Sequence, residues 1–256
     1  MILAVDMGNT NIVVGIVEKN RIIASGRVGT DRMKTNMDLL IQIKTILEVF
    51  NVKPTDIDGA ILSSVVPELT NQLVSAMELL INKKVLILGH GVKTGLNIKI
   101  DNPQTLGADR VADAVGAIEK YGYPLVIVDM GTATTISVID KNKSYIGGLI
   151  IPGIKTSMGA LSNNASQLPH ISLEEPKAIV GRNTIDCMRS GIVYGTAAMI
   201  DGLLDKIKDE LGYDFTIITT GGLSSLIIPY MSHKINYEEY LLLMGLYQIY
   251  EKNQER

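Results

Sequence analysis

The stretch VDMGNTNIVVG runs from Val5 to Gly15, and VDMGTATTISV runs from Val128 to Val138. An apolar run that ends on an acid, turns at a glycine and continues through small hydroxyl or amide side chains is built twice, which points to a duplicated architecture. Aligned at Asp6 and Asp129, the tetrapeptides from Val5 to Gly8 and from Val128 to Gly131 coincide, and with one residue deleted EKNR falls on DKNK. The plan repeats more fully than the letters. MILAVDM, NIVVGIVEKN and RIIASGRVGT read as three extended runs joined by hairpin-length turns. Leu39, Leu40, Ile43, Ile46 and Leu47 then recur at helical spacing, and GAILSSVV, ELTNQLVSAMELL and KVLILG alternate strand, helix and strand before a helix from about Gly107 to Tyr121. YGYPLVIVDM restarts the series with TTISVID, KSYIGGLII, helical segments, FTIITTGG and a terminal helix whose apolar face includes Leu242, Leu246 and Ile249. The expected fold is α/β, with one domain over residues 1–121 and a second over 122–256.

Composition narrows the function. Hydrophobic residues make up 46% and charged residues 20% of 256 positions, the balance of a globular chain with ample core. A net charge of −3 with both signs dispersed offers no basic stripe for a nucleic-acid backbone. No apolar run approaches the ~20 residues that span a bilayer, and MILAV lacks the charged region and cleavage site of a signal peptide, so a cytoplasmic protein with no membrane partner is expected. The single cysteine, Cys187, reads as reduced and structural. His90, His170 and His233 lie in three separate segments and argue against zinc, while Met77, Met188, Met199 and Met244 read as helix core.

An ordinary hairpin needs only glycine or asparagine at its turn. Here the turn carries Asn9, Thr10 and Asn11 in one copy and Thr132, Thr134 and Thr135 in the other, a dense set of donors beside a glycine that lets backbone amides approach an anion. The acid cannot bind phosphate itself, so its sensible role is to hold a hydrated cation that phosphates also touch. The other glycine-rich stretches, GLIIPGIKT and GHGVKTG, are each one residue out of step with the P-loop and dinucleotide patterns. A P-loop also joins a strand to a helix, whereas this turn joins two strands.

A duplicated βββαβαβα unit with an acid-glycine-hydroxyl hairpin in each half resembles the acetate and sugar kinase, Hsp70 and actin superfold, in which ATP lies in a cleft between two ribonuclease-H-like domains. Within it the chain is similar to type III pantothenate kinase. The resemblance rests on DMGNTN (Asp6 to Asn11), NP (Asn102, Pro103) followed by GADR (Gly107 to Arg110), DMGTATT (Asp129 to Thr135), GGLIIPG (Gly147 to Gly153), GRNT (Gly181 to Thr184) and TGG (Thr220 to Gly222). It implies transfer of the γ-phosphoryl of ATP to the primary hydroxyl of pantothenate, giving 4'-phosphopantothenate at the entry to coenzyme A synthesis. Members usually carry an aromatic residue two positions before NP, where this chain has Ile100, and many carry an acid before GADR, where Gln104, Thr105 and Leu106 stand.

By the same resemblance Asp109, in the first turn of its helix, is the catalytic base. Phosphoryl transfer has a loose transition state in which the hydroxyl proton leaves late, so a positioned carboxylate suffices. Arg110 offers a planar fork to the pantothenate carboxylate, with Gly107 and Ala108 beside it and Ile100 as a wall of the substrate site. Asp6 would hold the Mg2+ of Mg-ATP through water, while Met7, Gly8, Asn9, Thr10, Asn11, Ile12 and Val13 run along the phosphates. Asp129 matches the position for K+ or NH4+, and Thr132 a contact to ATP. Thr184 would reach pantothenate from the neighbouring protomer of a homodimer, and Gly191, Gly195, Ala198 and Gly202 give that helix a face of small residues for close packing, within the protomer or across a dimer. Two alternatives stay open: an ATP-binding homologue that has lost activity and serves as a regulatory accessory factor, as the Bvg accessory factors are described, and a chaperone-like ATPase. The intact GADR and the lack of residues for a peptide-binding domain weigh against them.

Overall fold

The computed structural model describes residues 1–254 and forms two compact units, Met1–Gly122 with the segment from Tyr240, and Tyr123–Glu239. The first unit contains β1 (Ile2–Met7), β2 (Asn11–Glu18), β3 (Arg21–Gly29), α1 (Asn36–Val49), β4 (Gly59–Ser64), α2 (Pro67–Ile81), β5 (Val85–Ile87), β6 (Asn97–Ile98) and α3 (Ala108–Tyr121). Its sheet runs β3–β2–β1–β4–β5, with β1 antiparallel to β2 and parallel to β4. Leu3, Val5 and Met7 of β1 face α1 and α2, while Ile2 and Ala4 face α3, so period-two alternation feeds two separate cores.

The second unit contains β7 (Leu125–Met130), β8 (Ala133–Ile139), β9 (Ser144–Pro152), α4 (Ile154–Asn164), α5 (Thr184–Leu211), β10 (Thr216–Thr220), α6 (Ser224–Ile227) and β11 (Asn236–Tyr237). Within it the strands run β11–β10–β7–β8–β9, with β7 antiparallel to β8 and parallel to β10. The duplication is visible in burial: β1 and β7 share one pattern, buried at every position except the acid, and the first seven residues of β2 repeat the pattern of β8. The fold is α/β in two ribonuclease-H-like copies. Among the described residues no helix is long and apolar enough to cross a membrane.

Several placements differ from the sequence reading. The terminal helix α7 (Leu241–Gln254), assigned from sequence to the domain over 122–256, belongs to the first unit. Its Leu243, Leu246 and Ile249 join Ile2, Ala4 and Ile61 of the first sheet and Val111, Ala112 and Val115 of α3 in one core. Burying each such aliphatic side chain stabilises by about 1.5–3 kcal/mol, and α3 and α7 together cover this face of the sheet. The helices cross backbone to backbone: a methyl at Gly116 would lie 2.6 Å from the Leu241 carbonyl oxygen, and one at Gly245 would overlap that of Ala112. Leu241 and Leu243 are buried where Leu242 was expected, and Leu40 of α1 is half-buried. Met199 is exposed rather than core, and Cys187 is exposed rather than structural.

Candidate active site

Asp6 stands at the penultimate position of β1, half-buried, beside Val13 on β2 and Ser63 on β4. The turn that follows is closed by the Gly8 amide donating to the Asn11 carbonyl at 2.9 Å. Thr30, just past β3, latches it from outside: its hydroxyl donates to the Gly8 carbonyl at 2.7 Å and its amide to the Thr10 carbonyl at 2.9 Å. Asn9 and Thr10 project into solvent, whereas Met7 and Ile12 are wholly buried and can meet a ligand through backbone alone.

The second turn has the same construction. The Gly131 amide donates to the Ala133 carbonyl at 3.1 Å, and the Thr132 carbonyl accepts from the Thr156 hydroxyl at 2.8 Å and the Gly153 amide at 3.2 Å. The carbonyls of Gly8, Thr10 and Asn11 in the first copy and of Thr132 and Ala133 in the second, whose negative ends would repel phosphate, accept hydrogen bonds from the chain itself. The second turn is one residue shorter, however: Met7 pairs with Ile12, but Met130 pairs with Thr134. Thr134 therefore occupies a core position of β8, buried, and Thr135 pairs with Asp129 on the ladder, leaving Thr132 as the exposed hydroxyl of the turn itself. Asp129 sits in a cradle that side chains would fill, since a methyl at Gly221, where φ is +94°, would lie 2.5 Å from its Oδ1 and one at Gly131 3.7 Å from its Oδ2.

Asp109 lies in the first turn of α3, half-buried, and its Oδ1 accepts the Arg110 amide at 2.8 Å. The carboxylate thus folds back over the helix N-terminus, where backbone donors and the helix dipole favour negative charge. It leaves no room for a side chain at Gly107, the N-cap, because an added methyl would overlap Oδ1. Ile100 is half-buried ahead of the 3-10 turn Pro103–Thr105, which delivers the chain to Gly107 with Thr105 bonded back to the Asn102 carbonyl. Asp6 and α3 share one face of the first sheet, since Ala4, of the same strand parity as Asp6, packs there with Val111 and Ala112. Thr184 opens α5 in the second unit and is exposed, with Asn183 as the N-cap accepting the Asp186 amide at 2.9 Å.

The residues present fit the expected ions in different ways. Among the described residues no three histidine, cysteine, aspartate or glutamate side chains converge as a metal cage. A single carboxylate beside phosphate-accepting amides suits Mg2+, which keeps most of its water and shares the rest with phosphate oxygens. The glycine-walled Asp129 suits a larger cation held loosely.

Sequence reasoning overlooked two polar clusters. Asp113, one turn beyond Asp109, is buried at 4% exposure. His233 bridges two acids of α5, with Nδ1 2.8 Å from Asp201 Oδ1 and Nε2 3.0 Å from Asp205 Oδ1. The hydrogen bond to Asp201, and then the remaining carboxylate contacts, raise its pKa above the ordinary histidine value despite partial burial. An acid pair at i, i+4 was the available signal, but the histidine lies a strand and a turn away.

Comparison with known proteins identifies the family. The family pattern described as type III pantothenate kinase matches residues 2–206. A protein of Exiguobacterium sp. named type III pantothenate kinase is 43% identical over 255 residues, covering 100% of both chains. Among solved structures, a Baf family transcriptional activator of Campylobacter jejuni superposes with a TM-score of 0.61 at 22% identity, covering 99% of this chain and 100% of that one. Component A of the (R)-2-hydroxyglutaryl-CoA dehydratase of Acidaminococcus fermentans gives 0.58 at 13% identity, over 99% and 98%. At those identities the structural likenesses concern fold alone. The full-length relationship concerns more, and the chain belongs to the type III pantothenate kinase family.

Proposed function

We propose that this chain transfers the γ-phosphoryl group of ATP to the primary hydroxyl of pantothenate, the first step of coenzyme A biosynthesis. The observation that carries the reading is the pair of latched turns, each following a strand with a half-buried aspartate at its penultimate position and each with most of its carbonyls engaged by the chain. Such turns present amides and hydroxyls to phosphate oxygens with few opposing dipoles.

In this reading the turn from Gly8 to Val13 orients the phosphates, with the side chains of Asn9 and Thr10 reaching them and Thr132 adding a contact. Asp6 would hold Mg2+ and Asp129 would hold K+ or NH4+ beside its flanking glycines. When bound, the ions neutralise charge on the phosphates. Asp109 accepts a hydrogen bond from the pantothenate hydroxyl and takes its proton late. Arg110 pairs with the pantothenate carboxylate, Gly107 and Ala108 leave backbone room beside it, and Ile100 supplies an apolar wall in place of an aromatic ring.

The assembly we infer is a homodimer in which Thr184 serves the partner's pantothenate. Gly191, Gly195, Ala198 and Gly202 all face solvent on α5, and methyls added at the three glycines would meet nothing within 4 Å, so the small-residue face is left uncovered by its own chain. A cytoplasmic setting accords with the metabolite substrate.

A coupled ATP assay over a panel of small hydroxy acids, with potassium or sodium as the sole monovalent cation, tests the activity. Pantothenate turned over alone and faster in potassium is expected, and turnover of another acid in its place would overturn the substrate. Asp109→Asn should cut turnover by roughly 100-fold or more while ATP binding by calorimetry is unchanged; full turnover in that variant removes the base assignment.

A further inference from the structure

The first sheet buries a hydroxyl that the chain does not use. Ser63, on β4, is 0% exposed, and its Oγ has no hydrogen-bond partner among the described residues. A buried hydroxyl left unsatisfied costs about 1–3 kcal/mol, so such a group needs an occupant that the protein chain does not supply. The next residue shows the contrast. Ser64 Oγ accepts the Val66 amide at 3.2 Å and lies 2.8 Å from the Thr70 hydroxyl, fully engaged in starting α2.

The direction of Ser63 follows from register. On β4, Ala60 and Leu62 belong to the core under α1 and α2, while Ile61 belongs to the core under α3 and α7. Gly59, of the same parity as Ile61 and Ser63, lies against the Tyr250 side chain of α7. Ser63 therefore faces α3 and α7. On β1 the same alternation sends Ile2 and Ala4 to that side, and with them Asp6. Asp6 and Ser63 are direct partners on the parallel ladder, so their side chains leave the sheet side by side at its outer end without being hydrogen-bonded to each other. A small polar guest beside the pair would give Ser63 Oγ the partner it lacks.

The geometry points to Ser63 Oγ as a positioning residue that, with the Asp6 carboxylate, holds one water carried by the divalent cation of the nucleotide. This rests on the reading of Asp6 given above and adds to it a partner from a different strand. A carboxylate that reaches a cation only through water gains direction if a second fixed group orders that water, and outer groups of this kind typically alter metal affinity by roughly 10- to 100-fold.

The test titrates Mn2+ into the full chain with the β,γ-imido analogue of ATP, reading free Mn2+ by electron paramagnetic resonance, and in parallel measures binding of the analogue in EDTA. Ser63→Ala should weaken Mn2+ binding by roughly 10-fold while analogue binding in EDTA stays as in the unaltered chain, and Ser63→Thr should recover most of the loss. Unchanged Mn2+ affinity in Ser63→Ala, accompanied by a raised thermal midpoint, overturns the proposal and marks the hydroxyl as merely unsatisfied. An equal loss in EDTA overturns it in favour of a packing role. If the unaltered chain binds the analogue but no Mn2+ with it, the reading of Asp6 fails, and the role of Ser63 with it.

Discussion

The two copies place the same backbone under different side chains. In the first unit the strands flanking the acid bury Ile12 and Leu62, which pair with Met7 and Val5. In the second, Thr134 and Thr219 pair with Met130 and Val128, equally buried, and neither hydroxyl has a hydrogen-bond partner among the described residues. Past the acid, the first unit continues from Ser63 to Ser64 and into α2, while the second continues from Thr220 to Gly221 and into the four-residue helix α6. The first unit also takes both terminal helices, α3 and α7. Duplication has thus kept the ladder and the latched turn and changed what surrounds them: both copies keep an aliphatic core, the first adds the α3–α7 layer, and the second sets buried hydroxyls around the strand that carries Asp129.

The largest effect should follow from attacking the α3–α7 layer where the two helices meet. Gly245→Ala forces a methyl into the Ala112 carbonyl, a backbone obstacle that cannot rotate away. We expect a loss of roughly 1–3 kcal/mol and a lower thermal midpoint, with faster hydrogen exchange along α3 and α7 and little change in β7 and β8. Equal loosening of both units would break the assignment of α7 to the first.

A second substitution sharpens the contrast past the acids. Gly221→Ala combines a positive φ with a methyl 2.5 Å from Asp129 Oδ1, whereas Ser64→Ala, at the matching place, removes only the hydroxyl that starts α2. The first should collapse the ratio of turnover in potassium to turnover in sodium; the second should leave that ratio alone and cost about 1 kcal/mol of stability. A ratio that moves in both variants, or in neither, counts against Asp129 as the cation ligand.

These differences mark where sequence stops being legible. The repeated strands were readable because each is a continuous apolar run that the acid interrupts at the same place. The docking of α7 was not, because an apolar face does not record which sheet it covers, and only the Gly116–Gly245 crossing, seen in three dimensions, decides it. Matching letters put Thr134 in the turn, and the one-residue difference in turn length put it in the core. Asp109 and Arg110 were visible as a motif. Ser63 was not, because a serine inside an apolar strand carries no signal until register sets it beside Asp6.

A smaller effect follows from the polar core of the second unit. Thr219→Val keeps shape while removing an unpartnered hydroxyl, and should stabilise the second unit by about 1 kcal/mol, seen as slower hydrogen exchange in β7 and β10. Leu62→Thr, its mirror in the first unit, should instead destabilise by burying a new polar group. Destabilisation by Thr219→Val would mean that an internal water satisfies the hydroxyl and that the two cores differ in hydration as well as in composition.

The smallest effect, and the one most dependent on conditions, concerns how each copy returns from its central strand to the sheet edge. The first unit uses α2, fifteen residues fixed by Leu69, Leu73 and Met77 in an apolar core. The second uses α6 and a short loop, tied to α5 by His233 between Asp201 and Asp205 and by the Ser232 amide donating to Asp201 at 2.7 Å. Only the imidazolium can donate from both ring nitrogens, so the tie is strongest when His233 is charged. Its folded pKa is raised, so the stabilisation is fully present below the unfolded value of about 6.5 and is lost as pH climbs through the raised folded value. His233→Gln should therefore speed exchange of the Ser232 amide at pH 6 and do so less at pH 9, while amides of α2 respond alike at both. An effect of equal size at the two pH values would show that the tie acts by packing, and the two connections would then differ in length but not in chemistry.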